Sequence, residues 1–517
     1  MTNILIGVGG SGAKIVEAAM VLLAAGLGPK QLHVGLVDQD NANGNVARTK
    51  TLISNYRAVK EQWGGSTRSN VIDWRGDGRQ VEGLSFARTD VSELFGDSAL
   101  WCPGGDQTSL RNIIGQNLSE RQKDLFDLLF MPGEEEQDLA LGEGYRGRAH
   151  VGAAALIARL TDPRNPLTAK LSELMAGGGG REQVNIFIAG SSFGGTGAAG
   201  FPTIAREINR IRGRDDFTNK GRVAIGGALM LPYFGFAPPD AEDKNLVVTT
   251  DELLPKAQLA LEHYGNLFAT EQAIDRFYLV GWDRFFQLGY HEAGNAEQRN
   301  PPLLPEMFAA AAALSFLQGG EELLTPATPD ERVKISARDG RHVRWGDFPL
   351  DNVQAQLGQL FRFAVYWRYI VADLVEQKRP WVGKGNWTHQ LTSKANKEEA
   401  VQALLTLDSF IDRILTFAAA LEATAPDDWD IGPWRLAALN DPQHDPKPTE
   451  PTKLLADHPE ATEIFSGAVR TDEGDPLKRD AAQVYDELEN RNADLADGAH
   501  QGYGRVVAAA FRAARIS

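Results

Sequence analysis

The chain has 517 residues, too many for one ordinary core, so two or three compact regions, or one large domain with insertions, are expected. Its 43% hydrophobic and 24% charged content is that of a soluble globular protein, and a formal net charge of −16 excludes a general nucleic-acid or anionic-membrane binder, which needs a positive contact face. A single cysteine, Cys102, excludes an intrachain disulfide and a sulfur-ligated metal cluster and favours a reducing cytoplasm.

In chain order, the first apolar run has no basic region ahead of it and breaks into glycines, so no signal peptide is expected. The apolar stretch Ala18 to Leu27 is interrupted by glycine and falls short of the roughly 20 residues that span a bilayer, so no membrane insertion is expected. A strand at Ile4 to Ile6, a glycine turn, an amphipathic helix and a second strand at Leu32 to Val37 form a βαβ unit, which predicts a parallel sheet. Residues 45–140 mix Trp, Gly and charged residues without sustained periodicity and read as an elaborated insertion. Helical spacing returns at Val151 to Leu160. The run Gly177 to Gly180 then reads as a flexible connection into a strand at Val184 to Ala189. A helix from Pro202 to Ile211, a strand from Val223 to Leu231, an amphipathic segment from Asp251 to Tyr264 and a strand from Phe277 to Gly281 follow. A core helix is expected at about 305–318, then a hairpin from Val333 to Val343 around Asp339-Gly340. Beyond Leu350 the pattern is helical, over Leu357 to Glu376, Lys397 to Leu421 and Asp480 to the end, with a surface connection from Thr424 to Pro451. The expected fold is α/β: a doubly wound, mostly parallel sheet over residues 1–320 with a long insertion, and a largely helical C-terminal region over 321–517.

Two glycine strings carry the chemistry. Gly7-Val8-Gly9-Gly10-Ser11-Gly12 follows the first strand and opens a helix, whose N-terminal N–H groups and partial positive charge suit a phosphate. On its own this string fits a dinucleotide-binding turn as well as a triphosphate loop. Asp38 and Asp40 end the second strand, spaced to face one side of an extended segment; they suit a Mg²⁺ held largely through water, or are ordinary turn residues. The second string, Gly194-Gly195-Thr196-Gly197, also follows a strand and opens a helix. A dinucleotide fold has no need of a second such site far downstream, whereas a triphosphate clasped between two loops does.

Ile186 to Gly190 together with Gly194-Gly195-Thr196-Gly197-Ala198-Ala199-Gly200-Phe201-Pro202 resembles the signature loop of the tubulin and FtsZ superfamily, with the large divergent bacterial members as the nearest kind. The pattern departs from the family at Phe193 and Ala199, where glycines are common. The resemblance covers roughly residues 1–44 and 140–320. It implies a tubulin-type GTPase domain that binds GTP or GDP with Mg²⁺. Gly9, Gly10, Ser11 and Gly12 would form the first phosphate loop, with Asp38 and Asp40 beside the phosphates and Asp40 nearest the metal. Gly142 to Gly152 matches the loop facing the terminal phosphate, with Gly144, Gly147 and two unusual residues, Arg146 and Arg148, which either add charge there or face solvent. Pro232 falls in the ribose-side loop, Trp282 near the base or simply packed, and Asn300 and Glu306 where the guanine edge would be read. The resemblance further implies head-to-tail self-assembly, with hydrolysis completed by an acidic residue of the next subunit, Asp347 with Asp351 in reserve. Asp351 is equally placed to cap a helix.

A second reading is a nucleotide-sensing module that hydrolyses weakly and offers its helical C-terminal region to a protein partner. A third, a dinucleotide-dependent enzyme, lacks a recognisable catalytic context for any of the nine histidines.

Overall fold

The computed structural model describes residues 1–63, 71–72, 81–82, 87–96, 98–105, 109–115, 118–162, 164–236, 250–282, 285–288, 300–327, 333–338, 343–371, 387–392, 397–424, 434–436, 464–472, 475, 479–495 and 503–516. Seven parallel strands form the central sheet: β1 (Thr2–Val8), β2 (Gln31–Val37), β3 (Asp90–Glu93), β4 (Val184–Ser191), β5 (Val223–Met230), β6 (Arg276–Trp282) and β7 (Val333–Arg338). Their spatial order is β7-β6-β5-β4-β1-β2-β3, and the short strand Leu100–Trp101 pairs with Leu36 and Val37 at the far edge. From β3 to β6 this is the 3-2-1-4-5-6 order of a doubly wound sheet. The chain therefore reverses its winding between β1 and β4.

The central strands β1, β4 and β5 form because their apolar runs are buried on both faces, as a parallel sheet requires. Every residue of β4 and β5 is buried. Side chains alternate across the sheet: Leu5 packs into one core layer, while Ile4, Ile6 and Val8 pack into the other. The first layer holds α1 (Gly9–Ala24), α2 (Gly44–Trp63) and, described below, α7 and the C-terminal helices. The second holds α3 (Ala149–Leu160), α4 (Pro166–Gly180), α5 (Gly195–Gly213) and α6 (Thr250–Glu271).

The core helix is α7 (Leu304–Leu317), in which every residue but Ser315 is buried. Its C-terminal end is stapled to the sheet: Asn185 Nδ2 donates to Gly319 O at 2.9 Å, and Gln183 Nε2 donates to Gly320 O at 2.7 Å and to Asn185 Oδ1 at 2.9 Å. Helices α8 (Val353–Tyr366), α9 (Lys397–Ala423), α10 (Ala481–Leu495) and α11 (Tyr503–Ala513) follow. Of these, α9 and α11 pack on α2, and α8 packs on α1. Among the described residues no helix is long and apolar enough to cross a membrane.

Five expectations change. The segment read as an insertion contributes α2, β3 and the strand Leu100–Trp101 to the main layer sandwich. The glycine run Gly177 to Gly180 is the last turn of α4 rather than a free connection. Helix α5 begins seven residues before Pro202, at Gly195, and the proline is carried inside it. Val333–Arg338, expected as the first arm of a hairpin, runs parallel to β6 as the sheet's last strand; the rest of that hairpin, 339–342, lies outside the described residues, as do most of Thr424 to Pro451. The expected helix Leu357 to Glu376 is continuous as α8 only to Tyr366, where a π turn over Trp367–Val371 takes over.

Removing the Asn185 side chain orphans buried polar groups at the foot of α7. Asn185→Ala is expected to lower stability by about 1–3 kcal/mol, measured as a reduced urea midpoint at unchanged slope.

Candidate functional site

In doubly wound sheets the ligand site lies at the carboxyl ends of the strands, where the winding reverses. Here that point is the gap between β1 and β4, and both glycine strings leave from it. Strand β1 ends at Val8 and α1 starts at Gly9; β4 ends at Ser191 and α5 starts at Gly195. Neither helix has a side-chain hydrogen bond at its N-cap, and neither has an acidic residue in its first turn. Two helix N-termini thus point their N–H donors and positive dipole ends at one cleft.

The loops meet backbone to backbone. A Cβ placed on Gly9, which holds φ at +72°, would lie 2.9 Å from Gly197 N, and one on Gly195 would lie 3.0 Å from Gly147 N. The stretch Gly144 to Gly147 forms the third wall. Gly144 and Gly147 have φ of 79° and 74°, and Arg146 between them is held at 43°, a left-handed conformation that costs an arginine on the order of 1 kcal/mol.

The fourth wall is acidic. Asp38 is 3% exposed, and its Oδ1 accepts from the Thr196 hydroxyl at 3.0 Å and from Asp40 N at 3.3 Å, which ties the end of β2 to the start of α5. Asp40 Oδ1 accepts from Ala42 N at 3.0 Å. Burial, and then the neighbouring Asp40 carboxylate, push the Asp38 carboxyl up to about 7. A Mg²⁺ fits this set: Asp38, Asp40 and Thr196 are hard oxygen donors beside the cleft, and a cation would relieve the crowding of the two carboxylates. Among the described residues no group of three or more His, Cys, Asp or Glu side chains gathers to hold a metal.

The cleft is lined by Gly9, Gly10, Ser11, Asp38, Asp40, Gly144, Arg146, Gly147, Gly194, Gly195, Thr196, Gly197 and Asn300, so these expected residues are brought together. Others are not. Gly12 is packing, since a Cβ there would meet Ala189 O at 2.6 Å. Arg148 stands behind the wall, its guanidinium 3.5 Å from the carbonyl of Arg146. Pro232 is buried beside the cleft, whose lining takes Phe234 and Phe236 from the same loop. Trp282 is a packed aromatic against Phe286 and Phe308. Asp347 accepts from Arg344 N at 2.9 Å. Asp351 lines a separate cleft of about 950 Å³ with Met1, Asn3 and Gln31, at the amino ends of the strands, the opposite end of the sheet from the glycine loops.

The two departures from the loop pattern are absorbed by packing. Phe193 lies edge-on to Tyr233 and Phe234, with ring centroids 6.1 and 5.5 Å away. Ala199 sits at the crossing of α5 with α3, where Gly152 makes room: a Cβ on Gly152 would come within 2.8 Å of the Ala199 Cβ.

A buried ionic network was not foreseen. Lys14 Nζ lies 2.5 Å from Glu306 Oε1, which also accepts from the Tyr233 hydroxyl at 2.5 Å, while Leu303 N donates to Glu306 Oε2 at 2.9 Å. Burial pushes the Lys14 ammonium down and the Glu306 carboxyl up, and each partner opposes the other's shift. Arg48 makes a two-point contact with Glu17, at 2.6 and 2.7 Å, and donates to Asn300 O at 3.0 Å. A signal was present in the sequence: Lys14 and Glu17 are the only charges in the otherwise apolar run from Gly9 to Ala24, and charges on a buried helix need partners.

Fold and site together define a Rossmann-like, doubly wound α/β protein with an anion-receptive cleft at its switch point. Comparison of the chain with protein-family models, curated proteins and solved structures finds no match.

Two outcomes follow from the geometry. Gly9→Ala strains φ and drives a methyl into Gly197, whereas a Cβ on Gly10 meets Asn43 Nδ2 at 3.2 Å, so Gly9→Ala is expected to destabilise by about 1–3 kcal/mol and Gly10→Ala by clearly less, in parallel denaturation curves. Because Asp38 titrates near 7 when folded and near its ordinary 3.8 when unfolded, the folded state keeps a proton that the unfolded chain has lost. In chelator, stability is therefore expected to fall as pH rises between those values, and Asp38→Asn flattens that slope.

Proposed function

We propose that this chain binds guanosine triphosphate with Mg²⁺ in the cleft between β1 and β4, assembles head to tail and completes hydrolysis at the junction between copies. The observation that carries the binding step is the meeting of two N-termini, those of α1 and α5, at a contact only glycine permits, beside a pair of buried carboxylates. The uncapped N–H groups of both helices cradle phosphate oxygens. Bound Mg²⁺, held through Asp38, Asp40 and Thr196, would neutralise phosphate charge. Arg146 adds a fixed cation from the third wall. Phosphoryl transfer needs chiefly positioning and charge neutralisation, so these groups supply most of what hydrolysis requires.

Within one chain no described acidic residue beyond Asp38 and Asp40 lines the cleft. Asp351 stands at the opposite end of the strands, where a second copy stacked along the sheet axis would bring it to a bound triphosphate. That placement supports head-to-tail assembly. The second reading, a nucleotide-sensing module with a protein partner on the helical C-terminal region, is favoured by Arg146, which provides charge neutralisation without a second copy.

Equilibrium binding of GTP, GDP, ATP and NAD in parallel, with and without Mg²⁺, tests the reading. GTP is expected to bind with Mg²⁺, and negative-stain microscopy to show GTP-dependent filaments or ordered oligomers. Asp40→Asn is expected to raise the Mg²⁺ requirement by about tenfold or more. Asp347→Ala or Asp351→Ala is expected to slow turnover while leaving GTP affinity intact. Preferential binding of NAD overturns the proposal, and tight GTP binding without assembly under any magnesium or crowding condition selects the sensing module.

A further inference from the structure

We infer that Lys14 selects the base: from the wall of the cleft its ammonium donates to O6 and N7 of a 6-oxopurine and so favours guanine over adenine. This rests on the cleft being the nucleotide site proposed above.

The cleft has two chemically distinct ends. Glycine backbone, Thr196 and the Asp38/Asp40 pair form the phosphate end, while Phe234, Phe236 and Leu253 offer an apolar wall of the kind a purine ring packs against. Lys14 lines the same cleft from α1, and its nitrogen lies 6.0 and 5.9 Å from the ring centroids of Tyr233 and Phe234. Asn300 stands on this side too, its carbonyl held by Arg48.

Glu306 is, with Asn300, one of the two residues expected at the guanine edge. Both of its oxygens are engaged, one by Lys14 and Tyr233, the other by Leu303 N, and Glu306 itself is absent from the lining, so the carboxylate does not face the N1–H and 2-amino donors of guanine. The donor count runs the other way. An ammonium has three N–H donors and no acceptor; Glu306 Oε1 takes one of those of Lys14, and the described residues supply its buried nitrogen no second acceptor. A buried donor in this state calls for an acceptor, and the wall it stands in is the wall of the cleft. Guanine presents adjacent acceptors at O6 and N7, whereas adenine presents an amino donor at position 6 that meets the ammonium donor to donor. Glu306 thus opposes the loss of charge that burial favours at Lys14, and Lys14 does the reading.

Inosine triphosphate separates this from recognition at the 2-amino edge, because it keeps O6 and N7 and lacks the amino group. With the full-length protein and Mg²⁺, GTP and inosine triphosphate are expected to bind alike, and ATP roughly 10- to 100-fold more weakly. The paired substitution Lys14→Met with Glu306→Gln removes the donor without stranding a buried charge; it is expected to weaken GTP and close the gap to ATP, with thermal unfolding confirming the fold. Inosine triphosphate binding far more weakly than GTP overturns the inference, and that measurement needs no variant. A paired variant that keeps the full preference for GTP also overturns it while leaving the nucleotide reading intact. Failure of the wild-type chain to bind any nucleoside triphosphate overturns both.

Discussion

The contact on which this structure depends is the one between Gly9 and Gly197. With no Cβ on either residue, the loop after β1 and the loop after β4 approach to backbone distance, and the N-termini of α1 and α5 open onto one space. The contact of Gly195 with Gly147 extends the same device to the third wall, and Gly152 lets Ala199 seat α5 against α3. Side chains at these positions would push the helix ends apart and scatter their dipoles. Glycine here costs backbone entropy, and that cost is borne where close approach requires it.

Charge is distributed with the same economy. The chain is strongly acidic overall, yet the cleft pairs a positive field from two helix ends and Arg146 with a negative corner at Asp38 and Asp40. An anion alone would meet the helix ends; an anion with a divalent cation would satisfy both. Behind the cleft, the Lys14–Glu306 and Arg48–Glu17 pairs join α1, α2 and the entrance to α7. Buried pairs of this sort add little net stability, since desolvation offsets most of the attraction. Their effect is to fix register: α7 enters the core at one position relative to α1, and Asn300 is held beside the cleft.

Much of the fold was legible because its elements carry strong local patterns. The strands at Ile4 to Ile6, Val184 to Ala189 and Val223 to Leu231 are apolar runs closed by glycine or proline, and the core helix near 305–318 is apolar all round. Where the pattern is weak, expectation failed. Helix α2 shows little amphipathic order because the sheet layer and α9 share its surface, so the segment read as an insertion. Strand β3 has four residues and its companion at Leu100 only two, too short for alternation to register. The chain at Val333 to Val343 has the local chemistry of a hairpin, but β6 offered a free parallel edge, and pairing there placed Val333–Arg338 in the main sheet.

The sequence by itself determined the α/β class, the two glycine loops and the acidic end of β2, because each is a local statement: a strand, then residues whose backbone freedom or charge has one use at a strand's end. Tertiary structure alone decided which of those residues share a cleft. It drew Arg146 in and left Arg148 out, turned Gly12 to packing, set Asp351 at the far end of the sheet, and brought Lys14 against Glu306 from distant parts of the chain. Spacing along the chain carries no information about such meetings; they follow from the winding order of the strands, which places β1 beside β4 and lays α7 across α1.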